Sequence, residues 1–167
     1  MKIALKVATV LSWFNLVWWT LNIVSSLSSV TAFGAPMLML ALLVLLASIP
    51  LNAYASLQLH KSIRRPSVKL SAQTPIGIRF VGLAAQFLGL IMTIVGIVLL
   101  LNATRIATMP KDQVAGTAEM RALLSSVRGI RFVGGFFLFL GLCVSVNVVL
   151  NFRLLRWYYL VKQSDVS

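Results

Sequence analysis

VATVLSWFNLVWWTLNIVSSLSSVTAFGAPMLMLALLVLLASIPLNAYASLQL, residues 7–59, runs for 53 positions between Lys6 and His60 without a charged side chain. An α-helix rises 1.5 Å per residue and the hydrocarbon of a bilayer is about 30 Å thick, so one crossing takes ~20 apolar residues. The stretch is long enough for two crossings. The turn between them is written in Thr31-Ala32-Phe33-Gly34-Ala35-Pro36, where Pro36 suits the first turn of the second helix because its missing N–H would have no partner there. Two more uncharged runs, Phe80–Thr104 and Phe132–Phe152, follow downstream. The expected fold is all-α: a four-span transmembrane bundle of antiparallel, up-and-down helices at about 7–30, 36–59, 78–102 and 130–152. These make one integral membrane domain over residues 1–167, with a basic loop at 60–77 and a longer segment at 103–129.

Composition agrees. The chain of 167 residues is 59% hydrophobic and 11% charged, against about 25% charged in soluble domains, and its mean hydropathy is +0.95. The net charge of +12, from 15 Lys/Arg against 3 Asp/Glu, would suggest nucleic acid in a soluble protein. Here it flanks spans, where basic residues set orientation and meet anionic headgroups, so no nucleic-acid partner is expected. The single cysteine, Cys143, lies in an apolar run and reads as a packing residue.

The first run could open as a signal peptide, but it is longer than the 7–15 apolar residues such a segment uses. It also holds Trp13, Trp18, Trp19 and two asparagines, and it reads as an uncleaved span. Ser12, Asn15, Asn22, Ser26 and Ser29 recur at steps of three, four or seven and share one helical face. Amides cannot be satisfied by lipid, so that face should meet another helix. In the second span Pro50 should kink the helix by leaving the carbonyl four residues back without a donor. Ser48, Asn52 and Ser56 flank the kink at steps of four. Asn15, Asn22, Asn52 and Ser48 are therefore the expected polar seam of a hairpin made by spans one and two, either as interhelical hydrogen bonds or as the lining of a small cavity.

Gly77-Ile78-Arg79-Phe80-Val81-Gly82 returns as Gly129-Ile130-Arg131-Phe132-Val133-Gly134, and Phe87-Leu88-Gly89-Leu90 as Phe139-Leu140-Gly141-Leu142, all at an offset of 52. Gly82, Gly89 and Gly96 in span three, with Gly134 and Gly141 in span four, form smooth strips that let helices approach closely. Gln86, Thr93 and Asn147 read as packing bonds. Thr74-Pro75 reads as cap and first turn of span three. The only histidine, His60, opens the basic loop without a Cys, acid or second His near it, and is expected to be a solvated interfacial residue rather than a ligand. Between spans three and four, Val114, Ala118, Leu123 or Leu124 and Val127 approximate the apolar stripe of a short amphipathic surface helix. Asn102-Ala103-Thr104 fits a glycosylation pattern but abuts the membrane.

With four spans the termini share a side. That side carries ten basic residues, the other five, so the positive-inside rule places both termini and loop 60–77 in the cytoplasm, with the bacterial inner (plasma) membrane as the expected location. Arg64, Arg65, Arg153 and Arg156, together with Arg79 and Arg131 at the mouths of spans three and four, are the expected headgroup contacts, and anionic membrane lipid is the expected partner. Because spans three and four then run in opposite directions, the repeat is inverted. Inverted repeats mark many transporters, but those are usually multi-helix units, and a ten-residue identity is more simply explained by close glycine-faced packing.

No acid lies inside a span: Asp112, Glu119 and Asp165 are the only ones. No acid–base pair, activated nucleophile, metal cluster or phosphate-cradling loop can be assembled. No catalysis, metal or cofactor is expected. The expected function is that of a non-catalytic packing or assembly subunit of a membrane complex or homo-oligomer. The alternative is a small channel or carrier for anions or lipids with arginine-lined mouths.

Overall fold

The computed structural model describes residues 2–27, 36–65, 67–109 and 123–164. Their helices include α1 (Lys2–Leu27), α2 (Pro36–Leu46), α3 (Ser48–Arg64), α4 (Gln73–Leu101), α5 (Ala103–Ala107) and α6 (Val127–Ser164). No strand occurs among the described residues. Four segments are long and apolar enough to cross a membrane: Lys2–Ser26, Ala41–Arg64, Gln73–Leu101 and Val127–Val161. The chain is an all-helical integral membrane protein.

The side-chain distribution inverts that of a water-soluble protein. On α1, Val10, Trp13, Val17, Leu21 and Val24 are exposed while Ala8, Ser12, Asn15 and Trp19 are buried. Both sets step by three or four, so the helix has a greasy outside and a small, polar inside. α4 repeats the pattern, with Phe80, Leu83, Phe87 and Ile94 outside and Gly82, Ala85, Gly89 and Gly96 inside. In water such apolar surfaces would drive aggregation. In lipid they lie in their own solvent, and the polar groups must find one another.

The ends differ from the sequence-based bounds where helix geometry carries on past the last apolar residue. The second crossing continues through His60 to Arg64, so the first part of the expected loop 60–77 is helix. α6 has 38 residues, or about 57 Å of helix, and overruns the hydrocarbon. The second crossing is interrupted at Ala47, three residues before Pro50. Pro50 has no N–H for the Leu46 carbonyl, whereas Ala47 N–H still reaches Leu43 O (2.9 Å) and Leu51 N–H reaches Ala47 O (3.2 Å). The helix is broken locally but its ladder resumes at once. At the end of α4, the Asn102 side chain and backbone N–H both donate to Val98 O (2.9 and 3.0 Å). This is the local competition with the helix that asparagine is prone to.

Thr74 does not cap α4 with its side chain as expected. Gln73 N–H donates to Ser71 Oγ at 3.4 Å, and the Thr74 hydroxyl is instead spent on Gln58 Oε1 of α3 at 2.8 Å. α6 has a clear cap: Gly129 N–H donates to Ser126 Oγ at 3.0 Å. The expected amphipathic helix falls almost wholly on residues 110–122, outside the described residues.

The chain forms two compact units, Met1–Leu88 with Cys143–Ser167, and Gly89–Leu142. In the second unit α4 and α6 touch through glycine. A methyl placed on Gly96 would lie 2.5 Å from Leu138 N and 2.7 Å from Gly134 O, and one on Gly141 would lie 2.5 Å from Thr93 Oγ1 and 2.7 Å from Gly89 O. Only hydrogen in place of Cβ lets these backbones come so close.

Candidate functional site

The first unit carries the polar chemistry. Three helices bring ladders to it: Thr9, Ser12 and Asn15 on α1; Ser48, Asn52, Ser56 and His60 on α3; Asn147 and Asn151 on α6. Steps of three or four keep each ladder on one face. Ser12 Oγ donates to Asn147 Oδ1 at 2.9 Å. Asn151 Nδ2 donates to the Asn147 backbone carbonyl at 2.8 Å and to its Oδ1 at 3.0 Å. A carbonyl can only accept, so the Asn151 amide orientation is fixed and its Oδ1 faces His60 Nε2 at 2.7 Å. Nε2 is therefore the nitrogen carrying hydrogen. His60 Nδ1 stands 3.3 Å from Thr9 Oγ1, which donates to Leu5 O at 2.7 Å and accepts from Arg64 Nη2 at 3.0 Å. A connected chain thus runs from His60 through Asn151 and Asn147 to Ser12 in the interior, and an exposed guanidinium is anchored on Thr9 beside it.

Ser12, Asn15, Asn52, His60, Asn147 and Asn151 are each no more than 2% exposed. His60 is thus not the solvated interfacial residue expected of it. The signal for its burial is that it extends the 48-52-56 ladder by four more residues, just as Asn151 extends Asn147. Asn15 Nδ2 reaches Cys143 O at 3.4 Å. Asn22 lies apart from the seam: it is exposed and donates to Trp18 O of its own helix at 2.8 Å. Asn15, two turns earlier, is deep enough to meet α6, but Asn22 is near the end of α1. Ser56 Oγ turns back to Asn52 O at 2.7 Å. Six buried polar atoms have no partner among the described residues, namely Asn15 Oδ1, Trp19 Nε1, Ser48 Oγ, Asn52 Oδ1, Gln86 Oε1 and Ser145 Oγ. All belong to this unit. Ser48 therefore does not take up the carbonyl freed by Pro50.

The expected packing glycines are all buried. Gly82 lies in the first unit, where a Cβ would come within 3.1 Å of Asn52 Oδ1 and 3.2 Å of the Phe152 ring. Gly96, Gly134 and Gly141 pack within the second unit. Arg64, Arg65, Arg79, Arg131, Arg153 and Arg156 are all exposed. Two pairs among them share clefts. Arg79 and Arg156 line one of about 400 Å³, with Phe152 and Tyr159. Arg64 and Arg65 rim another of about 630 Å³ between α1 and α3, which carries Thr9, Trp13 and Leu16 on one wall and residues from Tyr54 to Lys61 on the other. Arg131 belongs to the second unit.

Among the described residues no three of His, Cys, Asp and Glu come together as a metal site would require. Comparison of the chain with protein-family models, curated proteins and solved structures returns no match.

Proposed function

We propose that the protein is a non-catalytic, four-span membrane subunit that works by packing and binding within the bilayer rather than by passing solute through itself. The observation that carries this reading is the buried hydrogen-bond chain through Ser12, Asn147, Asn151 and His60, in which Ser12, Asn151 and His60 spend donors on the asparagine carbonyls. A conducting path needs such groups turned toward water.

An up-and-down course of the spans is supported by facing residues. In the first unit Gly77 faces Ala55, Thr74 bonds Gln58 and Gly82 faces Asn52, so numbers rise on α4 as they fall on α3. In the second unit Gly96 faces Leu138 while Thr93 faces Gly141. The start of α1, the end of α3 and the start of α4 gather at one end of the first unit through the Thr9, His60 and Thr74 contacts. That end carries Lys61, Arg64, Arg65 and Arg79, and the positive-inside rule makes it cytoplasmic. Because the glycine strips are consumed inside the chain, a protein partner or second copy would have to meet other faces.

The test has two arms. Extraction from native membrane into polymer nanodiscs, followed by native mass measurement, should give a particle holding a second polypeptide, either another copy or a partner. A particle with one copy alone would overturn the assembly role. Liposomes holding the purified protein should show the chloride leak of empty ones, and a protein-dependent flux would overturn the non-conducting reading in favour of a small anion channel or carrier.

A further inference from the structure

The cleft between α1 and α3 has a use that assembly does not explain. Its mouth is a set of hydrogen-bond donors. Lys61, Arg64 and Arg65 stand on its rim, and all three are exposed. Gln58 lines it with its Oε1 already accepting from Thr74, which leaves its amide N–H₂ to offer. No Asp or Glu is among the described residues that line it. Arg64 is also held in place: Nη2 donates to Thr9 Oγ1 at 3.0 Å, and Thr9 is itself tied to Leu5 O at 2.7 Å. One guanidinium N–H is used in this way, out of the five a guanidinium has. The rest of a planar, pre-oriented fork is what a phosphate or carboxylate binds best.

One effect runs the other way. The cleft mouth lies at the C-terminal end of α3, where the helix dipole places about half a negative charge. Three full positive charges outweigh it, so the field at the mouth favours an anion. Beyond the mouth the cleft becomes apolar. Trp13 and Tyr54 are 55% and 56% exposed there, beside Leu16 and Leu57. From Arg64 to Tyr54 is ten residues of α3, about 15 Å along the axis. That is the depth of one leaflet, half of the ~30 Å hydrocarbon. Charge at one end, a leaflet's depth of aromatic and aliphatic wall at the other, and an opening along the helix pair together describe the outline of a single amphiphile.

We propose that this cleft binds one phosphate-bearing amphiphile, its phosphate ester held by Lys61, Arg64 and Arg65 and its chain laid along Trp13, Tyr54 and Leu57. The site goes beyond the assembly role and does not depend on it. A monomer could bind such a molecule, and a complex could lack it.

Trp13 makes the site observable. The full-length protein is placed in nanodiscs of phosphatidylcholine, and phosphatidylglycerol with dibrominated chains is added in small mole fractions while tryptophan emission is followed. The expected result is a saturable component above the linear quench of boundary lipid, seen with phosphatidylglycerol, not seen with dibrominated phosphatidylcholine, whose choline cancels the phosphate charge, and lost in Trp13→Phe. The triple variant Lys61→Gln, Arg64→Gln, Arg65→Gln should weaken the apparent affinity by about a hundredfold, since each cation near a membrane surface contributes about a fivefold step. Arg156→Gln, in the other cleft, should leave it unchanged. Glycerol phosphate added at millimolar concentration distinguishes the sources of the anion. No displacement means that the chain is needed and the ligand is a lipid, whereas full displacement by glycerol phosphate would overturn the amphiphile and assign a soluble phosphate ester. A quench that rises linearly and equally for both brominated lipids would overturn the site altogether, since that is what ordinary boundary lipid gives. If the triple variant does not fold, as judged by circular dichroism, the comparison of the two lipids on the unaltered protein still decides.

Discussion

Placing a methyl group on Gly141 should loosen the second unit, while the same change at Gly135 should not. At Gly141 the new Cβ would lie 2.5 Å from Thr93 Oγ1, 2.6 Å from Thr93 N and 2.7 Å from Gly89 O. Two of the three are backbone atoms, which cannot rotate away. Ordinary carbon contacts start near 3.5 Å, so α4 and α6 must part by close to 1 Å. A gap of that size forfeits roughly a quarter to a half of the dispersion energy of every contact across the interface. Overpacking of this kind costs about 1–3 kcal/mol. Alanine's better helix propensity returns about 1 kcal/mol, so the net destabilisation of Gly141→Ala should be up to about 2 kcal/mol, and the gap to Gly135→Ala, which has the return without the clash, about 1–3 kcal/mol. Gly96→Ala, with Leu138 N at 2.5 Å and Gly134 O at 2.7 Å, should behave alike. At Gly135 an added methyl would have nothing within 4 Å of it. Gly135→Ala should therefore be neutral or stabilised by up to about 1 kcal/mol. The assay is equilibrium unfolding in mixed micelles of rising dodecyl sulfate fraction, read by circular dichroism, with the three variants run side by side. Equal stability of Gly141→Ala and Gly135→Ala would refute the close contact of α4 with α6.

Three further outcomes follow from the hydrogen bonds and from the course of the chain. Asn147→Leu removes the acceptor of Ser12 and one acceptor of Asn151, both fully buried; stranding such groups costs about 1–3 kcal/mol each, and a drop of less than about 1 kcal/mol in the same unfolding assay would show that the chain is not a unit. Ser126→Ala deletes the acceptor of Gly129 N–H and should cost about 1 kcal/mol, with Ser126→Asp retaining stability; equal losses in both would remove the capping explanation. With Cys143 replaced by Ala, Ser67→Cys and Ser125→Cys should be labelled by an impermeant maleimide from opposite sides of the membrane, and labelling from one side only would overturn the up-and-down course.

The four crossings are legible because in lipid the signal is a blunt one: charge is excluded, so Lys6, His60, Arg79, Arg105, Arg131 and Arg153 punctuate the chain. Helix ends are less so. Hydropathy falls at His60 and Lys61, yet the backbone has no reason to leave the helix until Arg65, just before Pro66, and the end of the apolar run is therefore not the end of α3. The polar seam is legible in part. Asn15, Asn52 and Ser48 are marked by spacing and are buried, while Asn22 obeys the same spacing but bonds its own helix. Periodicity reports a face, not what lies opposite it. The centre of the site, His60 with Asn151, escapes a reading of the sequence because a histidine beside Lys61 and Arg64 reads as part of a charged run. Only the pairing of two i, i+4 ladders from distant parts of the chain makes it an interior residue, and that pairing is a tertiary fact.

The repeat makes the same point from the opposite direction, since here identical letters do unlike things. Gly77 has only the Ala55 methyl near it, at an ordinary 3.8 Å, whereas a Cβ on its counterpart Gly129 would run into the Leu123 carbonyl beneath the Ser126 cap. Gly82 lies beneath Asn52 Oδ1 and the Phe152 ring, whereas Gly134 meets the Gly96 carbonyl and the Leu99 and Leu100 side chains. What the two copies share is shape, a helix side with no Cβ, and not a site. A carrier built on inverted symmetry would need equivalent polar chemistry beside both copies. The six unpartnered buried polar atoms, the His60 network and the two cationic clefts all fall in the first unit, around the copy that starts at Gly77. Among the described residues, the glycines of the other copy in the second unit meet glycine, serine, threonine and aliphatic side chains in close contact. The division fits a molecule with one half that grips and one half that binds. It also places the search for a ligand at the basic end of α1 and α3 rather than on an axis relating spans three and four.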